Sequence, residues 1–337
     1  MNFTQAITES TLKTLKINKK KLLIGLEVSN ESAGFYKLFP KQVFETPVSE
    51  LSSTGMAVGL ASKGYIPTVV YGRIEFALLA LDQILTQAAR WEYMFGEKYK
   101  CPAKFRIQIG RQWGNGPQHT ANYHSIFLQS NGLDIFIPAT PKEAYEHICY
   151  MDINNKPSVF FEHRYLSLVK QDFKIKNKFK KPNNSKIYKI NNQRDILLIT
   201  YADTLIIALE TQKYLMKFKI FVTILNLSYL PSNERVSKKD VNFIKKFKNI
   251  IFLDSAPFEF GILSGIHSII SIKLKNNNFF YLSPPNTPAP SSPIHMHKYY
   301  INKNDVIKKI MKIKKKKIKI KKISFEESIL WPNYSFK

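Results

Sequence analysis

The sequence predicts an α/β chain of two doubly wound domains, and three observations carry that expectation. Short apolar and β-branched runs alternate with stretches of helical spacing, the pattern of parallel strands covered on both faces. The alternation breaks once, at a lysine- and asparagine-rich stretch centred on Pro182-Asn-Asn-Ser185, and then restarts. With 337 residues, the chain is long enough for two domains of about 100–200 residues each.

The first domain, residues 1–169, opens its sheet at Leu22–Ile24, a strand ending in Gly25. Residues 52–63 carry Gly55, Ala57, Gly59 and Ala61, small side chains that suit a helix packed closely on a sheet. Residues 68–71 are β-branched and aromatic and read as a buried strand. Residues 76–91 show helical spacing, with Phe76, Leu79, Ala80, Ile84 and Ala88 on the apolar face and Gln83 outward. Strands follow at 105–109, 134–137 and 158–162. Residues 170–194 read as a linker by composition. The second domain, 195–307, is smaller: a strand at 196–201, a helix at 204–217, a strand at 220–225, a helix at 237–247 and a strand at 250–254. Five prolines within 282–293 exclude sheet and helix there. A tail over 308–337 is basic and turns amphipathic from Ile323.

Composition excludes several classes. A chain that is 44% hydrophobic and 13% aromatic has enough apolar surface to offset chain entropy, so it is not disordered. Two cysteines, Cys101 and Cys149, exclude a disulfide framework and a thiolate zinc site, and they suit a reducing compartment. No apolar run reaches the roughly 18 residues of a membrane span; even 249–270 is broken by Asp254 and Glu259. The N-terminus lacks a basic segment followed by an apolar one, so a signal peptide is not expected and a cytoplasmic protein is. The net charge of +26 invites a nucleic-acid reading. Yet ten lysines cluster between Lys308 and Lys322 and five between Lys174 and Lys181, without the interleaved aromatics on which bases stack. A solvated basic face, or an acidic protein partner, accounts for them better.

Familiar catalytic signatures are missing: there is no Gly-x-Gly-x-x-Gly, no phosphate loop and no Gly-x-Ser-x-Gly elbow. His295 and His297 sit two apart on the proline-rich loop without a nearby carboxylate, a poor metal site.

Six segments, in order, form a different constellation: Glu45-Thr-Pro-Val-Ser-Glu50, Gly55-Met-Ala-Val-Gly59, Phe76-Ala-Leu-Leu-Ala-Leu-Asp-Gln83, Gly110-Arg-Gln-Trp-Gly-Asn-Gly-Pro-Gln-His119, Gly132-Leu-Asp-Ile-Phe-Ile-Pro138 and Phe160-Phe-Glu-His-Arg-Tyr165. Together they resemble the β subunit of the thiamine-diphosphate-dependent decarboxylase component of 2-oxo acid dehydrogenase complexes. That family pairs a transketolase-like pyrimidine-binding domain with a transketolase-like C-terminal domain. The resemblance runs from about Ile24 to Val169, and more loosely over 196–313, where Pro284–Pro293 looks like the family's Pro-Thr-Pro segment.

The resemblance implies roles for single residues. The cofactor reacts through a carbanion at its thiazolium C2, after a carboxyl group on N1′ of its pyrimidine drives an amino-to-imino conversion. Glu50 is implied as that carboxyl, buried and raised in pKa by desolvation. Alone, Glu50 reads better as a first-turn acid favoured by the helix dipole. Phe76 is implied to stack on the pyrimidine, although alone it reads as a core aromatic opening a helix. Val48 is implied as a further cofactor contact. His119 is implied to stabilise or protonate the reacting substrate, against the reading of a plainly hydrogen-bonded histidine. Arg111 and Gln118 are implied as substrate contacts, with Gln112 in the same loop, and Gly110, Gly114 and Gly116 give that loop unusual dihedral angles.

The family's Gly-Asp-Gly motif for diphosphate and Mg²⁺ does not occur here. The resemblance therefore implies an α subunit holding that half of the pocket, in an α2β2 heterotetramer, with a lipoyl acyltransferase as further partner, no metal ligand in this chain and no membrane. The sequence departs from the family at Leu26, Val70 and Leu79, which stand where the family has an acid, a glutamate and a glutamine. Two other functions stay open: a transketolase-like transfer of a ketol or aldehyde unit, and a non-catalytic basic scaffold.

Overall fold

The computed structural model describes residues 1–26, 28, 34–111, 114–175, 179–320, 323, 332 and 334–336. Gln112 and most of the stretch after Ile323 lie outside the described residues.

The chain starts with a helix that the reading above does not contain, α1 (Phe3–Ile17). Asn2 caps it: its side chain accepts from the Gln5 N–H, while the Gln5 side chain accepts from the Asn2 N–H. Strand β1 (Lys21–Gly25), helix α2 (Phe35–Leu38) and strand β2 (Val43–Glu45) follow, and helix α3 (Glu50–Ser62) crosses to β3 (Ile66–Tyr71). Helix α4 (Ile74–Ala77) tightens into a 3-10 turn at Leu78–Ala80 and widens into a π-helix over Asp82–Ala88. Then come α5 (Trp91–Phe95), β4 (Lys104–Ile109), β5 (Asp134–Phe136), α6 (Pro141–Met151) and β6 (Ser158–His163). The strands expected at 22–24, 68–71, 105–109, 134–137 and 158–162 are all present, whereas α2, β2, α5 and α6 are not in the sequence reading.

The second part contains β7 (Lys170–Gln171), β8 (Ser185–Tyr188), β9 (Ile196–Thr200), α7 (Thr204–Met216), β10 (Thr223–Leu227), β11 (Tyr229–Leu230), α8 (Lys238–Ile244) and β12 (Asn249–Leu253). Helix α9 (Ile262–Ser271), strand β13 (Asn278–Leu282), helices α10 (Pro293–Tyr299) and α11 (Lys303–Lys314), and strand β14 (Ser335–Phe336) complete it.

Two sheets organise these elements. The seven-stranded sheet runs β11-β5-β6-β4-β3-β1-β2, parallel throughout except for β11. The five-stranded sheet runs β13-β12-β9-β10-β8 and is parallel except for β8 at its edge. Parallel neighbours need crossover connections, so helices cover the faces and the strands are buried on both sides; β1, β6, β9, β10 and β12 are buried along their whole length. One hydrophobic cluster runs through both domains, from Phe3 to Phe336.

Four details differ from the sequence reading. The stretch 170–194 is not wholly a linker: Ser185–Tyr188 joins the second sheet, because its four residues find an open antiparallel edge beside β10. The strand expected at 220–225 starts at Thr223, since the chain leaves α7 through a turn with Lys219 at φ 54°. Gln83 faces inward, only 8% exposed, while Leu79 is 62% exposed; the π-helical widening shifts the apolar face, and Gln83 packs over Gly55 of α3, whose missing Cβ would lie 3.9 Å from Gln83 Cγ. The basic tail begins inside a helix. Asn302 caps α11 through a reciprocal pair with Asp305, and Val306, Ile307, Ile310 and Met311 are buried on the side facing α7. Of its lysines, Lys309 lies 5.3 Å from the centre of the Phe280 ring and Lys314 pairs with Asp195. No helix among the described residues is long and apolar enough to cross a membrane.

Ile310→Ala should cost about 2–5 kcal/mol of stability, as for other buried isoleucines, whereas exposed Lys308→Ala should stay within about 0.5 kcal/mol. Urea unfolding of the two variants checks this. Burial also pushes the His124 and His147 imidazoles down to about 3. The unfolded chain binds those protons near pH 6.5, so it holds more protons than the native state between about pH 6.5 and 3, and stability falls as pH drops through that window. His147→Leu should lower that pH dependence by about one proton, read from urea midpoints at pH 7 and 5.

Candidate active site

The strands β2, β1, β3 and β4 are adjacent in that order, and their C-terminal ends point to the same edge of the sheet. A parallel sheet collects its functional loops at that edge. Here the chain leaves β1 at Gly25-Leu26, β2 through Thr46–Glu50, β3 through Gly72–Phe76 and β4 through the glycine-rich loop that ends in His119. These four exits enclose a cleft of about 240 Å³ whose lining includes Glu50, Arg73, Phe76 and His119.

Of the residues singled out in the sequence, Glu50, Phe76 and His119 meet in this cleft. Glu50 is the first residue of α3, half-buried rather than the fully buried acid expected, because the cleft is open on one side. Its carbonyl accepts from the Thr54 hydroxyl, which also bonds the Tyr71 hydroxyl. Burial pushes the Tyr71 phenol up, and the nearby Glu50 carboxylate adds to that, so Tyr71 stays neutral. Phe76 is partly exposed and meets the His119 ring edge-on, centroids 5.8 Å apart and planes at 71°. Nδ1 of His119 is buried yet meets no partner among the described residues.

Two anchors hold the His119 loop. The Glu75 carboxylate accepts from the Ala121 N–H at 2.9 Å, and the Thr120 hydroxyl donates to the Gly116 carbonyl at 2.5 Å. Gly110, Gly114 and Gly116 have φ of +91°, +64° and +70°, the left-handed region in which a side chain is strained. At Gly110 the constraint is also steric: a Cβ would lie 2.5 Å from the His163 ring.

The remaining predicted residues lie elsewhere. Val48 is 74% exposed and Gln118 is exposed, and neither lines the cleft. Arg111 is buried between the domains: its guanidinium lies 3.6 Å from Asp203 and is flanked by the rings of Tyr165 and Tyr300 at 4.0 and 4.6 Å. His163 reaches the same Asp203 at 3.3 Å; burial lowers its pKa against the opposing pull of that carboxylate. A second buried cluster adjoins it, in which the Tyr201 hydroxyl donates to Asp254 and contacts His124 Nε2 at 2.9 Å. Because the single Tyr201 proton goes to Asp254, the imidazole must donate from Nε2. Burial pushes the Asp254 carboxyl up to about 6, against the opposing pull of the Tyr201 hydroxyl and the Ala256 and Leu263 N–H groups that bond it.

The cleft also contains Arg73, which the sequence reading passed over. Its signal was positional: it follows strand β3 directly and precedes Phe76 by three residues. Among the described residues no cluster of three His, Cys, Asp or Glu side chains could hold a metal ion.

Residues 1–168 match the family described as transketolase, pyrimidine binding domain. Over most of its length the chain is similar to the pyruvate dehydrogenase E1 component subunit beta, mitochondrial, of Saccharomyces cerevisiae, 26% identical over 297 residues, covering 85% of this chain and 79% of that one. It is 24% identical to the 2-oxoisovalerate dehydrogenase subunit beta of Bacillus subtilis, covering 93% of this chain and 98% of that one. It is 25% identical to an acetoin:2,6-dichlorophenolindophenol oxidoreductase subunit beta of Cupriavidus necator, covering 77% of each. Among solved structures it is similar in fold to a split gene transketolase, an inactive β4 tetramer, with a TM-score of 0.73 and 17% identity, covering 91% of this chain and 96% of that one.

Glu75→Ala removes a charged acceptor from the Ala121 N–H and should free the loop by about 1.5–3 kcal/mol, whereas Glu75→Gln keeps an acceptor oxygen. Hydrogen exchange at Ala121 should speed up strongly in the first variant and little in the second.

Proposed function

We propose that this chain, which belongs over residues 1–168 to the transketolase pyrimidine-binding domain family, is the β subunit of a thiamine-diphosphate-dependent 2-oxo acid dehydrogenase. In this reading it takes part in decarboxylating a 2-oxo acid and passing the acyl group to a lipoyl carrier. The observation that carries the reading is the convergence of Glu50, Phe76 and His119 on one cleft. The relatives' names, dehydrogenase and oxidoreductase subunits beta, support it further.

The residues present fit an aminopyrimidine. A carboxyl group, a partly exposed phenyl face and an imidazole with an unused ring nitrogen share a small cleft with apolar walls at Leu26, Val69 and Val70. Thiamine diphosphate, when bound, supplies a carbanion and an electron sink for decarboxylation. Glu50 would exchange a proton with the pyrimidine ring nitrogen, and Phe76 would offer a flat face without competing for the ring's hydrogen bonds. His119 would give or hold a proton at a substrate oxygen, since an imidazole can do either near neutral pH.

The diphosphate and Mg²⁺ are assigned to an α subunit, because the sequence lacks the Gly-Asp-Gly motif of that half-site. Val48, Leu51 and Leu79, each within a turn of a cleft residue, are exposed apolar side chains that such a partner would cover. An α2β2 assembly serving a lipoyl acyltransferase in the cytoplasm completes the proposal.

With an α partner, thiamine diphosphate and Mg²⁺, Glu50→Gln should reduce 2-oxo acid turnover by about 10²–10⁴, the usual worth of such proton transfer. Calorimetry should detect cofactor binding to the wild-type mixture. Full activity in the variant, or no binding to the mixture, would exclude the proposal.

A further inference from the structure

The large positive charge of the chain has no part in the function proposed above, and the second sheet gathers some of it in one place. Strands β9, β12 and β13 are adjacent and parallel, so all three begin at one edge, opposite the end where Asp203 meets the first domain. Helix α11 and the first residues of these strands enclose a groove of about 570 Å³. One wall carries Lys309, Lys312 and Ile313 of α11, at the i, i+3 and i+4 spacing of a single helix face. The other carries Lys248, directly ahead of β12, and Phe280 of β13.

The charges of this groove are unbalanced. Its one carboxylate, Asp195, is taken by Lys314. Lys248, Lys309 and Lys312 meet no carboxylate among the described residues. Three ammonium groups around one groove repel each other, and an anion between them removes that cost. The kind of anion follows from the donors. No arginine lines the groove to grip a phosphate with two parallel bonds. The amide donors are spent within the fold: the Asn249 N–H and side chain donate to Asp195, and the Asn278 N–H and side chain donate to the Lys248 carbonyl and Asn249 Oδ1. Lys309 lies over the Phe280 ring, 5.3 Å from its centre, so the ring does not offer that face to a nucleic-acid base. Three separate point charges remain, and these suit carboxylates spaced along a flexible chain. We propose that the groove docks an extended acidic segment of a partner protein.

Fluorescence anisotropy with the full chain tests this, independently of the cofactor reading. The probes are a fluorescein-labelled peptide of alternating glutamate and serine, the same peptide with glutamine for glutamate, and a labelled short oligothymidylate. At physiological ionic strength, wild type should bind the glutamate peptide about 10-fold more tightly than the glutamine peptide, the worth of three exposed ion pairs. Lys309→Glu combined with Lys312→Glu should abolish that preference. Lys248→Glu lies on the other wall and leaves α11 untouched, so its weaker binding serves if the helix variant fails to fold. Lys19→Glu combined with Lys41→Glu, at two exposed positions of the first domain, changes the net charge equally and should leave the preference intact. No preference in wild type, a preference that survives the groove variants, or one lost equally in the Lys19 and Lys41 variant overturns the proposal. So does oligothymidylate binding that exceeds peptide binding and disappears in the groove variants, since it assigns the groove to nucleic acid.

Discussion

Everything at the candidate site depends on the parallel pairing of β2, β1, β3 and β4. Parallel neighbours send their chains out at the same edge, and each must return across a face of the sheet before the next strand begins. Four successive exits therefore deliver Leu26, Glu50, Arg73 with Phe76, and His119 to one place, although the sequence spreads them over 94 positions, from 26 to 119. Antiparallel pairing would have sent alternate exits to opposite ends and dispersed them. The helices contribute by standing close: α3 presents Gly55 to Gln83, so the segment bearing Phe76 packs tightly beside the helix bearing Glu50.

The second domain acts on the site from behind. The His119 loop is held from within the first domain by Glu75 and from outside by the proline-rich segment, whose Ser291 carbonyl would lie 3.1 Å from a Cβ at Gly114. Below it, Arg111 and His163 of the first domain both turn to Asp203 of the second. Buried charges of this kind are costly unless paired, and Asp203 sits where two groups of the first domain share it. The polar seam continues through His124, Tyr201 and Asp254, and through Asn122, which donates to the Ser255 carbonyl at 2.5 Å. The loop that carries His119 is thus clamped between two domains, and its geometry is a property of their contact.

Within the cleft the chemistry is divided. Glu50 and His119 bring a carboxyl group and an imidazole, Phe76 a flat apolar face, and Arg73 a guanidinium held by Gln108. A buried tyrosine, Tyr71, closes the wall next to Glu50 through Thr54 and contributes no charge. A site works best when its groups are oriented before a ligand arrives. The strand-to-strand contact between Arg73 and Gln108 and the Glu75 hold on Ala121 are the visible forms of that orientation.

The sequence by itself determined the fold class and most of the strands, because contiguous apolar runs are local signals, and a family resemblance singled out Glu50, Phe76 and His119, which the structure brings to one cleft. It was silent on α1, whose cap is legible but whose apolar face becomes meaningful only against α6. It misjudged Gln83, since a π-helical widening changes which side faces inward, and it drew the basic tail too early, since only α7 gives Val306, Ile307 and Ile310 a surface to bury against. Arg111 stood in the right loop for a substrate contact. Tertiary structure alone decided that it bridges the domains, and that Arg73, just ahead of the Phe76 segment, lines the cleft instead. Composition and spacing describe what each residue can do, whereas direction across a sheet edge is set by packing between segments far apart in the chain.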